Sequence, residues 1–130
     1  FFVYHEMTRL RLLGSQQTLS LAEFTPKPVS AVSGIANPDR FNQDLQRAGM
    51  RIVLRQDFED HHRYTAEEFD SINRDAQSAK AAAIIVTEKD AANLSNETIR
   101  QSSLPIYAAQ IEFRCAEDAR LKKLLLDAVA

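Results

Sequence analysis

The sequence predicts an α/β domain, a small Rossmann-like parallel sheet flanked by helices. Two observations predict it. Short apolar runs recur from residue 28 onward, and the stretches between them carry apolar residues at helical spacing behind good capping residues. Strands that alternate with helices in this way are joined by right-handed crossovers, which makes them parallel.

The first run is Val29 to Ile35. Asn37-Pro38 then reads as a helix cap with proline at the first helical position. Phe41, Leu45 and Ala48 form the apolar stripe, and Gly49 ends the helix. The second run is Arg51 to Arg55, followed by a polar loop from Gln56 to Tyr64. Thr65-Ala66-Glu67-Glu68 reads as a capping box, with Thr65 as cap and Glu68 reaching back. Phe69, Ile72, Ala76 and Ala79 make the apolar face of that helix, and Ala81 to Val86 is a buried strand. Thr87 caps the next helix, whose Glu88 and Asp90 suit the positive end of its dipole. The fourth run is Leu104 to Ala109, with Pro105 marking an edge position or a strand's first residues. A last helix carries Leu121, Leu124, Leu125 and Val129 on one side and Arg120, Lys122 and Lys123 on a solvated face.

Residues 1–27 do not fit this repeat. Thr18 to Phe24 has strand character and Thr25-Pro26-Lys27-Pro28 reads as a stiff connector. The expected division is a hinge or linker over 1–27, leading from a missing N-terminal domain, and an α/β domain over 28–130. The opening residue, Phe1 rather than methionine, is in keeping with a piece of something longer.

Composition narrows the function classes. A chain of 130 residues with 45% hydrophobic and 26% charged content has enough material for one domain with a real core. Its 16 basic and 18 acidic residues, net charge −2, give no whole-domain attraction to nucleic acid or to an anionic membrane. Cys115 is the only cysteine, which excludes an internal disulfide and a cysteine-built zinc site and fits a reducing compartment. It reads as a small buried hydrophobe at the end of a strand. No apolar run approaches the roughly 20 residues of a membrane span.

Ligands of open parallel sheets gather at the carboxyl ends of the strands. The polar and unusual residues of this chain concentrate in three loops that leave such ends: Ser33 to Pro38, Asp57 to Tyr64, and Thr87 to Asp90. The middle loop sets Asp60 beside His61 and His62, with Arg63 and Tyr64 following. Histidine shuttles protons near neutral pH, and a neighbouring carboxylate fixes its tautomer. The same residues also suit a polar loop whose histidines cap backbone groups. Adjacent histidines diverge and no third ligand is nearby, which argues against a metal site. Gly34 beside Asn37-Pro38 either lets a ligand approach the backbone or makes a plain strand-to-helix turn. Lys89, a cation in the first turn of its helix, is either a phosphate contact or solvated. No G-x-G-x-x-G dinucleotide fingerprint is present. His5 stands alone, with no functional signal around it.

Together the three loops resemble one family. Ala31 to Phe41 is similar to the A-x-A/S-G-I-x-x-P-x-R-F segment of tetraacyldisaccharide 4'-kinases, Phe58 to Tyr64 to their F-x-D-H-H-x-Y/F motif, and Thr87 to Ala91 to their T-E-K-D-A motif. Order and spacing agree, and the likeness covers roughly residues 18–113. The family often continues T-E-K-D-A with valine and lysine, where this chain has Ala92 and Asn93. The resemblance implies the C-terminal domain of a P-loop kinase, closing over the active site. The implied reaction moves the γ-phosphate of ATP to the 4'-hydroxyl of a tetraacylated glucosamine disaccharide 1-phosphate, giving lipid IVA in lipid A biosynthesis. It implies ATP and Mg²⁺, bound mainly by a missing N-terminal domain, a lipid disaccharide substrate, no nucleic acid, and a peripheral place on the cytoplasmic face of the bacterial inner membrane. It marks Asp60 and His61 as catalytic candidates, with Gly34, His62, Tyr64, Glu88 and Lys89 as weaker candidates for packing or for substrate and phosphate contact. The phosphate-binding pattern G-x-x-x-x-G-K-S/T does not occur in these 130 residues, so the piece alone is expected to be inactive. Two rivals stand beside this reading. A two-metal phosphoesterase named for an Asp-His-His motif needs more ligands than three histidines supply. A non-catalytic α/β interaction module would keep the same loops without the chemistry.

Overall fold

The computed structural model describes residues 2–15, 17–20 and 27–116. Its elements run β1 (Phe2–Leu12), β2 (Thr18–Ser20), β3 (Pro28–Ser33), α1 (Pro38–Arg47), β4 (Arg51–Asp57), α2 (Ala66–Ser78), β5 (Ala83–Thr87), α3 (Glu88–Ala92), α4 (Asn96–Gln101) and β6 (Ile106–Ala116). The strands form one sheet in the order β2-β1-β6-β5-β3-β4. Strands β6, β5, β3 and β4 are mutually parallel, as the alternating pattern predicts.

The sheet is nevertheless mixed, because residues of the expected linker belong to it. β1 pairs antiparallel with β6 from Phe2↔Ala116 to Leu12↔Tyr107, and β2 adds to the outer side of β1. Leu10 is fully buried, and Met7, Leu12 and Leu19 pack against the same core. The strand was hidden by its charges: Arg9-Leu10-Arg11-Leu12 alternates at period two, while His5 and Glu6 break the apolar run. β5 meets only Ile106–Ala109 of β6, so Phe2–Met7 and Ile111–Ala116 pair as a two-stranded ribbon beyond the parallel sheet. A register shift between Met7 and Arg9 puts a bulge where the ribbon leaves the sheet. Pro105 directly precedes β6, where its missing N–H breaks no ladder. The expected last helix, with Leu121, Leu124, Leu125, Val129 and the face of Arg120, Lys122 and Lys123, lies outside the described residues, as does the side chain of Cys115.

Strand alternation divides the core into two layers. Val29 and Ala31, Ala83 and Ile85, Tyr107 and Ala109 face Phe41 and Leu45 of α1. Val32, Ile84 and Val86, Ile106 and Ala108 face Phe69, Ile72 and Ala76 of α2. A sheet covered on both faces needs near-continuous apolar strands, which is how β5 reads.

Capping chemistry fixes where the helices begin and end. Asn37, Thr65, Thr87 and Ser95 each accept a hydrogen bond from the backbone N–H three residues on. Both long helices close in the same way. Gly49 (φ 93°) follows α1, with Gly49 N–H bonded to Gln46 O and Met50 N–H to Leu45 O. Lys80 (φ 65°) follows α2, with Lys80 N–H bonded to Gln77 O and Ala81 N–H to Ala76 O. These are Schellman closures, and they return the chain to the sheet at β4 and β5.

Candidate active site

The three loops named from the sequence meet at one edge of the sheet. Phe58 N–H bonds to Ser33 O at 2.7 Å and His61 N–H to Gly34 O at 3.1 Å, so the loop after β4 lies across the loop after β3. Asp90 ties both to α3. Its Oδ1 accepts the Gly34 N–H and the Tyr64 hydroxyl, each at 2.9 Å, and its Oδ2 accepts the Thr87 hydroxyl at 2.6 Å. Asp90 is 1% exposed. Hydrogen bonds from all three loops thus take the place of lost water around a buried carboxylate.

Gly34 sits where nothing larger fits. A Cβ there would lie 2.9 Å from Glu59 O, 3.0 Å from His62 Cβ and 3.2 Å from Asp90 Oδ1. Its N–H and C=O are both taken by the other two loops, which gives this glycine a packing role.

The neighbouring histidines do different things. His62 stacks on Phe58 with centroids 4.7 Å apart, meets Tyr64 edge-on at 4.8 Å, and its Nε2 lies 2.6 Å from Glu68 Oε1. Glu68 therefore turns toward His62, and only the Thr65 half of the expected capping box forms, with Glu68 N–H bonded to Thr65 Oγ1 at 3.1 Å. Tyr64 is buried, edge-on to Phe58 and Phe69 as well. Burial first, then the charges of Asp90 and Glu68, push its pKa far up, so its hydroxyl stays a donor.

His61 is the outward member. Its side chain is 81% exposed and its backbone holds a left-handed φ of 63°. That conformation is costly for a residue with a Cβ, and here the bond to Gly34 O holds it. Its Nε2 lies 3.6 Å from Asp60 Oδ2, close enough for electrostatic orientation but longer than a hydrogen bond.

On the α1 side, a groove of about 380 Å³ opens between the start of α1 and α3. Ile35, Ala36, Phe41 and Ala109 give it apolar walls, and Arg40, Asp44, Glu88 and Lys89 supply charge. Glu88 is held by Arg11 of β1, whose Nε and Nη2 lie 3.2 and 2.9 Å from its carboxylate oxygens. The bond to Glu88 raises the Arg11 pKa and burial partly opposes it, so the guanidinium stays charged. Among the described residues, no group of three or more His, Cys, Asp or Glu could hold a metal ion.

With this geometry in place, comparison with known proteins decides the family. The family model for Tetraacyldisaccharide-1-P 4'-kinase matches residues 3–130. The chain belongs to this family. It is 39% identical over 85 residues to the tetraacyldisaccharide 4'-kinase of Desulfotalea psychrophila, an alignment covering 65% of this chain and 24% of that protein. It is 37% identical over 98 residues to that of Koribacter versatilis, covering 75% of this chain and 30% of the relative. The chain thus spans a quarter to a third of the length of these relatives. Its fold is similar to a crystal structure of the Aquifex aeolicus member in complex with ATP, with TM-score 0.57 and 20% identity over 96% of this chain and 35% of that one.

Of the residues the kinase motifs point to, the structure gathers Gly34, His62, Tyr64 and the T-E-K-D turn into one hydrogen-bonded and stacked cluster, and leaves Asp60 and His61 on its outer surface. Tyr64 is directed into the cluster, and Glu88 and Lys89 line the groove. Sequence reasoning missed Asp90 as the residue that joins the loops. Its signal was read only as an acidic residue in a first helical turn. Glu68 and Arg11 were missed for the same reason: each has its partner far away in sequence or behind a loop whose path the sequence does not show.

Proposed function

We propose that this chain is the part of a tetraacyldisaccharide 4'-kinase that brings the Asp60-His61 turn to the reacting groups. In this reading the whole protein transfers the γ-phosphate of ATP to the 4'-hydroxyl of tetraacyldisaccharide 1-phosphate, giving lipid IVA. His61 accepts or relays the hydroxyl proton together with an acidic residue outside this chain, and Asp60 orients it. The observation that carries the proposal is the His61 imidazole, held outward on a left-handed turn beside the exposed Asp60 carboxylate, while His62, Tyr64 and Asp90 are committed inward. Phosphoryl transfer depends on positioning and charge neutralisation, and a correctly placed base adds removal of the proton from the attacking hydroxyl.

Lys89 and Arg40 at the groove are candidates for contact with an anionic part of the substrate, with Glu88 held by Arg11 as a fixed polar wall. Gly34 and His62 serve by packing. ATP and Mg²⁺ are assigned to residues outside this chain, because its own residues offer neither a phosphate-binding loop nor a metal cluster among the described residues. Among those residues no helix is long and apolar enough to cross a membrane. The proposed location is peripheral, on the cytoplasmic face of the inner membrane, with the lipid disaccharide as partner and no nucleic acid.

The test is His61→Ala in the full-length protein. The expected result is a kcat lower by roughly 10²–10⁴-fold with the melting temperature unchanged, the range for loss of a general base. A non-catalytic interaction module built on the same loops predicts no change in turnover, and that outcome would overturn the proposal.

A further inference from the structure

The mechanism above uses His61 and Asp60 and leaves a buried carboxylate unexplained. We infer that Asp90 is a positioning residue, which sets the height of the Asp60-His61 turn over the end of β3; the inference rests on the kinase reading of that turn.

A helix-capping role accounts for only half of what Asp90 does. Its own N–H and its Oδ2 are engaged with Thr87, three residues back, and that pairing is complete within the first turn of α3. Oδ1 faces the other way. It takes the N–H of Gly34, 56 positions away, and the hydroxyl of Tyr64, 26 positions away. Gly34 in turn gives its carbonyl to the N–H of His61. Two short paths therefore run from one carboxylate oxygen toward the turn: through Gly34 to the His61 backbone, and through Tyr64, whose ring packs on the neighbouring His62. Both paths are referenced to the same atom and meet the turn on its C-terminal side, at His61 and His62. An exposed side chain in a left-handed conformation has few contacts of its own, so its position is set by these backbone anchors.

Asp90→Asn is nearly isosteric. It keeps an acceptor for Gly34 and Tyr64 but removes the charge and sets an amide against the Thr87 hydroxyl. Tyr64→Phe removes one of the two paths and leaves the capping pair intact. Both are made in the full-length protein, with steady-state kinetics and hydrogen exchange of the peptide covering residues 58–64. The expected result for Asp90→Asn is a kcat lower by roughly 10- to 100-fold, the cost of a misplaced catalytic group. KM for ATP and lipid stays within about twofold, since uniform binding is untouched. Exchange over 58–64 becomes faster, and Tyr64→Phe shifts kcat and exchange the same way by less. Unchanged exchange over 58–64 in both variants overturns the inference, as does a loss of activity that follows KM or melting temperature alone. Should Asp90→Asn fail to fold, Tyr64→Phe decides by the same two readouts. A wild-type protein that transfers no phosphate to the disaccharide defeats the kinase reading instead, and the exchange result still decides whether Asp90 holds the turn.

Discussion

At the scale of single residues, the site separates groups that build from a group that is presented. Tyr64 is the clearest builder. Its hydroxyl bonds to Asp90 Oδ1 at 2.9 Å in a buried setting, and a hydrogen bond to a charged acceptor contributes about 1.5–3 kcal/mol. Its raised pKa has a consequence for stability. Unfolding releases the phenol to its ordinary value of about 10. A group whose pKa is higher in the folded state contributes stability that is complete below the unfolded value and is lost as pH rises above it. Denaturation midpoints of the wild-type protein are therefore expected to fall from about pH 10 upward, and Tyr64→Phe to remove part of that slope while lowering stability at neutral pH. A variant with the wild-type alkaline slope would show that Tyr64 does not hold its proton against burial and the Asp90 charge. These builders were partly legible in the sequence. The D-H-H and T-E-K-D strings located the loops, but the division of labour between His61 and His62 was not legible. It depends on Phe58 and Glu68 capturing one ring, which follows from the path of the chain and not from spacing.

At the scale of elements, the parallel half of the sheet was legible because both of its faces are covered. Apolar runs and capping residues place β3, α1, β4, α2 and β5 close to where they stand. β1 was not legible, since its charges mask a period-two pattern and its partner, β6, lies about a hundred residues on. The strand is a structural member of the core. Leu10 is fully buried among Leu45, Ile85 and Tyr107, and Arg11 reaches Glu88 at the site edge. Leu10→Ala is expected to cost about 2–5 kcal/mol, the range for a large-to-small change in a packed core. A linker residue would lose less than about 0.5 kcal/mol. Denaturant titration separates the two outcomes. The same strand carries the ribbon formed with Ile111–Ala116 and, through Arg11, holds Glu88 at the groove.

At the scale of the whole molecule, the fold gathers three loops at one sheet edge and directs a single imidazole away from it. In the proposed reading this imidazole is the proton acceptor. The 130 residues hold no G-x-x-x-x-G-K-S/T pattern, and among the described residues no group of three or more His, Cys, Asp or Glu could hold a metal ion. A base contributes about 10²–10⁴-fold to a rate, far less than the acceleration phosphate transfer demands, because most of that acceleration comes from positioned charges around the phosphate. The purified 130-residue chain is therefore expected to transfer no detectable phosphate from radiolabelled ATP to tetraacyldisaccharide 1-phosphate, under conditions where the full-length protein turns over. Transfer by the chain alone would mean that its groove, with Arg40 and Lys89, binds and activates the nucleotide by itself, and the assignment of ATP to residues outside the chain would fall with it.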